Sequence, residues 1–257
     1  MIEQEVAGTG KVVVVGHRGA KAHAPENTLV SFEVAAAHGA DAVECDVRLT
    51  KDGEVVVIHD ATVERVAGVK GLVAEMTFEE LRRLDVGGHF GPEWAGSRIP
   101  LLDEVLEKAA VLGLEVVVET KGEPEPLEEL IEKTVAIVRQ HRMQDRTAII
   151  SFHHPSLLAV REIDDRMATG ILYGHGTPDP IAEAREFRAD SVRPHYARVT
   201  AELAEECHAN GLCLHTWTVN DATLARRLVG LGVDSIGSDS PRMIKALVAE
   251  MGRAART

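Results

Sequence analysis

Short runs of β-branched and aliphatic residues alternate along the chain with longer stretches whose apolar positions recur at helical spacing. The runs predict strands at Val12–Val15, Ala42–Leu49, Leu114–Glu119, Ala148–Ser151, Gly170–Tyr173, Ser191–Arg193, Cys213–Trp217 and Ser235–Gly237. Helices are predicted at Thr28–His38, Leu102–Leu112, Glu125–Arg142, Ser156–Ile163, Asp179–Arg188, Ala201–Asn210, Ala222–Leu231 and Pro241–Gly252. Gly39, Gly113, Gly211 and Gly232 each stand just past a helix and before a strand, where a left-handed helix stop is wanted. Repeated strand–helix units of this kind predict an α/β fold, a (β/α)8 TIM barrel built as one domain over residues 1–257.

One connection breaks the rhythm. An insertion at about residues 54–100 follows the second strand, introduced by the turn Lys51-Asp52-Gly53 and the strand Glu54–Ile58. It continues through a predicted helix, Thr77–Leu84, into a tail holding Gly87, Gly88, Gly91 and Gly96. Loops that follow barrel strands lie on the face where active sites sit, so the insertion is expected to cap that face.

Composition sharpens the picture of the core and narrows the partners. Hydrophobic residues make up 45% but aromatics only 4%, so the core must be aliphatic, which suits a buried parallel sheet. The 28 basic and 41 acidic side chains give a net charge of −13 with no basic stripe, which argues against nucleic acid as a partner. Cys45, Cys207 and Cys213 form no CxxC pair and suit a reducing compartment. The acidic start Met1-Ile2-Glu3-Gln4-Glu5 and the short run Val12–Val15 do not read as a signal peptide. No stretch approaches the roughly 20 apolar residues of a membrane span. A cytoplasmic protein without membrane insertion is expected, and a homo-oligomer stays open.

Polar residues collect at the C-terminal ends of the first strands. His17-Arg18-Gly19 follows Val12–Val15, and His59-Asp60 follows the inserted strand. Glu44 and Asp46 lie two apart on one strand, as do Glu119 and Lys121 at the end of another, so each pair shares a face. Carboxylates forced together in a partly buried pocket repel one another, and a divalent cation is the natural compensation. The all-oxygen set Glu44, Asp46 and Glu119 suits Mg²⁺ or Ca²⁺, with Mn²⁺ a further candidate. Arg18 and Lys121 supply positive charge for an anionic substrate, and His17 and His59 can divide the roles of base and acid. This combination points to phosphoryl transfer.

The segments His17-Arg18-Gly19-Ala20, Ala24-Pro25-Glu26-Asn27-Thr28, Glu44-Cys45-Asp46 through Lys51-Asp52-Gly53, and Val57-Ile58-His59-Asp60 resemble the glycerophosphodiester phosphodiesterase family. Later stretches, Ile99 to Leu106, Val118-Glu119-Thr120-Lys121, Trp217-Thr218-Val219-Asn220 and Gly232 to Asp239, extend the likeness over nearly the whole chain. Cys45, Leu101, Thr120 and Ser238 depart from the common pattern without removing a chemical group. The resemblance implies a barrel that hydrolyses glycerophosphodiesters to sn-glycerol 3-phosphate and an alcohol, using a divalent metal. It implies His17 and His59 as the acid/base pair, Glu44, Asp46 and Glu119 as metal ligands, and Arg18 and Lys121 as phosphate ligands. It also implies Trp217 as a lining of the substrate site.

Rival expectations are a lysophospholipase D-like or cyclic phosphodiesterase with Phe90 and Trp94 in its pocket, and a non-catalytic phosphodiester-binding module. Asp60 is expected to orient His59, whereas Asp239, Glu26 and Asn27 read as helix-start residues. His153, His154, Arg193 and His195 are candidate substrate contacts at two further strand ends.

Overall fold

Every predicted strand forms, to within two residues at its ends, in the computed structural model, which describes residues 7–122, 127–174 and 179–254. The strands are β1 (Val13–Gly16), β2 (Ala42–Leu49), β3 (Val55–Val57), β4 (Glu115–Thr120), β5 (Thr147–Ser151), β6 (Ala168–Tyr173), β7 (Ser191–Pro194), β8 (Cys213–Thr216) and β9 (Ser235–Ser238). The helices are α1 (Leu29–Ala37), α2 (Glu64–Ala67), α3 (Phe78–Arg83), α4 (Leu102–Leu112), α5 (Leu127–Gln140), α6 (Ser156–Ile163), α7 (Pro180–Glu186), α8 (Ala201–Ala209), α9 (Ala222–Gly230) and α10 (Pro241–Ala254). The expected start of α5 at Glu125, with the rest of residues 123–126 and residues 1–5, lies outside the described residues. Only α2 has no counterpart in the sequence pattern, because one turn of four residues is too short to display a period.

Neighbouring strands run in the order β1-β9-β8-β7-β6-β5-β4-β2, and β1 pairs again with β2, which closes a parallel (β/α)8 barrel. β2 serves two partners along one edge. Its start, Ala42 and Val43, pairs with Val15 and Gly16 of β1, while its end, Val47–Leu49, pairs antiparallel with β3. The insertion therefore springs from the rim at the C-terminal end of β2. It folds around a small core of its own that includes Val56, Val63, Val66, Val73, Leu81 and Val86.

Local chemistry agrees with this layout. Gly39, Gly113, Gly211 and Gly232 have φ of 80°, 73°, 71° and 89°, so the expected left-handed stops form. Thr28, Thr77, Asp179, Thr200 and Asp221 cap their helices by accepting from backbone N–H groups. Inward-facing Val13, Val15, Ala42, Val117, Ile150, Leu172 and Cys213 pack the barrel interior, and larger aliphatic clusters fill the layer between strands and helices. Burying each such aliphatic side chain stabilises the fold by roughly 1.5–3 kcal/mol before chain entropy is subtracted. All three cysteines are free and buried. Among the described residues, no helix is long and apolar enough to cross a membrane.

Candidate active site

The site begins where β1 runs out. Arg18 and Gly19 take left-handed backbone conformations, φ 51° and 86°, and Asn27 a third at 56°. Gly19 is required: a Cβ there would stand 2.3 Å from Ser31 Oγ. For Arg18 and Asn27 the left-handed region costs on the order of 1–2 kcal/mol each. Surrounding bonds hold them. Arg18 N donates to Glu44 Oε2 at 2.8 Å, while Asn27 N and Ser31 Oγ both donate to Arg18 O at 3.0 Å. Asn27 in turn donates from Nδ2 to Asp46 Oδ2 at 2.8 Å. The expectation that Glu26 and Asn27 start a helix is thus corrected: Thr28 caps α1, and the two residues before it bond Arg18 and Asp46.

Glu44, Asp46 and Glu119 are brought together by strand alternation and by the pairing of Glu44 with Val117 and Asp46 with Glu119 in the β2–β4 register. They offer oxygens that all lie within 4.8 Å of one another, and their residues are 8%, 1% and 9% exposed. Burial pushes Glu44 well above the ordinary carboxylate range, reinforced by Asp46 and Glu119. Burial also raises Glu119, against the opposing pull of Lys121. Asp46 goes the other way: despite burial, Lys121, Arg18 and His59 hold it low. Lys121 Nζ lies 3.0 Å from Asp46 Oδ1 and donates to Glu119 Oε1, so an ammonium stands between two of the acids. A cluster this crowded with buried negative charge fits a divalent cation, and its hard oxygen donors suit Mg²⁺, Ca²⁺ or Mn²⁺.

Both histidines are backed by an aspartate. His17 Nδ1 is 2.6 Å from Asp239 Oδ1, and Asn220 Nδ2 donates to the other oxygen at 2.7 Å. His59 Nδ1 is 2.7 Å from Asp60 Oδ1. An ionised carboxylate only accepts, so each ring carries a proton on Nδ1, which leaves Nε2 as the nitrogen that can take or give a proton. Burial lowers His59, with Asp46 opposing and Lys121 assisting. Asp60 orients His59 as expected. Asp239 is corrected from a helix-start residue to the partner of His17, a role that sequence spacing hides because 222 residues separate them.

One cavity joins these groups. His17, Arg18, Glu44, His59, Glu119 and Lys121 line one part of it, and Phe152, Leu172, Arg193, His215 and Trp217 another. Trp217 is fixed by its Nε1 bond to Arg193 O at 2.9 Å and by Phe152, whose ring meets it edge-on at 5.7 Å. Arg193 is only 4% exposed, and it bends back so that Nε donates to Ser191 Oγ at 3.0 Å. Gly170 makes that course open, since a Cβ there would stand 2.4 Å from Arg193 Nε. Burial lowers Arg193 to about 9, and burial with Arg193 beside it pushes His215 well below the ordinary histidine range.

Residues 17–243 match the glycerophosphoryl diester phosphodiesterase family. The chain belongs to this family. A glycerophosphodiester phosphodiesterase of Caldanaerobacter subterraneus subsp. tengcongensis is 38% identical over 242 residues, covering 94% of this chain and 100% of that one. Among solved structures, a phosphodiesterase of Oleispira antarctica in complex with the product sn-glycerol-3-phosphate superposes with a TM-score of 0.89. It is 29% identical, and the match covers 95% of this chain and 99% of that one. A crystal structure of a putative glycerophosphoryl diester phosphodiesterase from Silicibacter pomeroyi gives 0.87 at 31% identity, with 94% of each chain covered.

For this member of the family, the remaining expectations divide. Arg193 and Trp217 do line the cavity. His154 does not: its Nε2 bonds Leu172 O at 2.8 Å and its Nδ1 lies 2.6 Å from Glu183 Oε2, so the loop after β5 sits against β6 and α7. His153 is exposed, and His195 accepts from Ala197 N and packs on Tyr196 and Trp217. No residue from 61 to 98 lines the cavity. Phe90 and Trp94, expected in a pocket of the insertion, instead pack edge to face on each other at 6.4 Å. His215 was not among the expected site residues, although the alternation that turns Cys213 inward turns it inward as well.

Proposed function

We propose that the protein hydrolyses glycerophosphodiesters, such as glycerophosphocholine and glycerophosphoethanolamine, to sn-glycerol 3-phosphate and an alcohol. The observation that carries this reading is one cavity lined by Glu44, Glu119, His17, His59, Arg18 and Lys121, with Asp46 completing the buried acidic cluster and an aspartate backing each histidine. The product found in the Oleispira antarctica relative supports the choice of substrate. Glu44, Asp46 and Glu119 would hold a divalent cation, which when bound supplies positive charge to the phosphate as negative charge grows on it. Arg18 and Lys121 hold the phosphate and orient its phosphorus toward the attacking water. His17 takes the water's proton as the new P–O bond forms. His59 gives a proton to the alcohol oxygen as the old P–O bond breaks, with Asp60 stabilising its charged ring. Trp217 lines the organic side of the substrate. Three buried free thiols support a reducing, cytoplasmic site of action.

The test is release of sn-glycerol 3-phosphate from glycerophosphocholine by the Mg²⁺-supplemented protein. His17→Ala and His59→Ala should each lower kcat by at least about 10²-fold, the lower end of what one proton-transfer group contributes. Near-normal turnover in either variant contradicts the assignment.

A further inference from the structure

Arg65 stands on α2, within the insertion, and does not line the cavity. It nevertheless reaches two carboxylates that serve different parts of the site. Its Nε donates to Asp60 Oδ2 at 2.6 Å, while Nη1 and Nη2 donate to Glu26 Oε2 and Oε1, both at 2.8 Å. Asp60 uses its other oxygen on His59 Nδ1 at 2.7 Å. Glu26 Oε1 also accepts from Arg18 Nη1 at 2.9 Å. One guanidinium thus links the backing of a histidine to the anchor of a phosphate-facing arginine. We propose that Arg65 is a positioning residue that clamps His59 and Arg18 into one mutual geometry, so that the insertion serves the reaction through this contact. The inference rests on the roles proposed above for His59 and Arg18.

The chemistry of the fork explains why an arginine is suited to the place. Left to Arg18 alone, the Glu26 carboxylate, 9% exposed, would pair with it fork to fork and take up donors that a phosphate needs. Arg65 occupies a position on each Glu26 oxygen, and Arg18 makes one bond to the same carboxylate through Nη1. At Asp60 it ties down Oδ2 and thereby fixes which oxygen faces the imidazole. Glu26 and Asp60 are both held at about 2: burial opposes, but Arg65 leads the cations that keep each ionised. Arg65 itself is 44% exposed, where a single ion pair would contribute little. Three donors in a fixed plane on two carboxylates make the contact a matter of geometry more than of charge. A lysine would preserve the charge but present its donors from one nitrogen, unable to bridge Glu26 and Asp60 in this way.

Arg65→Ala, Arg65→Lys, Glu26→Gln and Asp60→Asn are compared with the unaltered full chain, each Mg²⁺-supplemented and checked for folding by thermal melting. On glycerophosphocholine, Asp60→Asn should act mainly on kcat and Glu26→Gln mainly on KM. Arg65→Ala should change both and lose about 10–100-fold in kcat/KM, the usual effect of removing a support behind a site residue. Arg65→Lys should remain impaired. Two readouts need no turnover: the ¹⁵N NMR tautomer of His59, and calorimetric binding of inorganic phosphate. Arg65→Ala and Arg65→Lys should both mix the tautomers and weaken phosphate binding. Retention of the Nδ1–H tautomer and of phosphate affinity in either folded variant overturns the clamp. If the unaltered protein releases no product while both readouts respond, the clamp stands and the proposed reaction falls. If it turns over and the Arg65 variants match it, the clamp falls alone.

Discussion

Asp60 and Asp239 do the same work at unequal distance in the chain, one adjacent to its histidine and the other 222 residues away. Adjacency made the first legible in the sequence. The second had no local signal, because only closure of β1 against β9 brings Asp239 beside His17. The same holds for Asn27 on Asp46 and for Arg65 on Glu26, whose partners lie on separate elements. By contrast Glu44 with Asp46, and Glu119 with Lys121, declared themselves through two-residue spacing on strands. Asp239→Asn can no longer hold the His17 ring as a charged acceptor, and kcat should fall about 10–100-fold with a smaller change in KM, measured by steady-state kinetics. A second outcome at this scale concerns acid. Glu26 and Asp60 sit at about 2 in the folded protein against ordinary values of 4.5 and 3.8. Depressed carboxylates add stability that is full above their unfolded values and lost as pH falls through the folded ones. Melting temperature should therefore drop between about pH 4.5 and 2, and Glu26→Gln should flatten that drop.

At the scale of elements, strand and helix order was readable because short runs of β-branched and aliphatic residues give way to stretches of helical spacing, and glycine marks four of the helix ends. What the pattern could not reveal is which way a loop folds back. The insertion looked like a wall for the substrate, with Phe90 and Trp94 as its apolar groups. In the structure those rings pack together, and the apolar residues around Val56, Val63 and Leu81 are used up in the insertion's own core. The packing of the barrel itself gives a stability prediction. Leu106 on α4 is fully buried in the layer between helices and strands, away from the cavity, so Leu106→Ala should cost about 2–5 kcal/mol by urea unfolding. Activity per folded molecule should not change. Val111 on the same helix is 81% exposed, and Val111→Lys should stay within about 0.5 kcal/mol.

Across the whole molecule, a net charge of −13 coexists with a cavity lined by Arg18, Lys121 and Arg193. The balance argues against a long polyanion as partner and leaves room for a small phosphodiester, whose charge meets the cations of one pocket. The pocket lies at the ends of β1, β2 and β4, and the three clustered acids there, Glu44 and Glu119 on its wall and Asp46 beside them, are the feature on which the account turns. Their mutual repulsion under burial is what a divalent cation would relieve. The most direct measurement follows sn-glycerol 3-phosphate release from glycerophosphocholine before chelation with EDTA, after it, and again with Mg²⁺, Mn²⁺ or Ca²⁺ restored. Loss of release on chelation and its return with at least one of these ions is the predicted result; release unaffected by chelation would contradict the account.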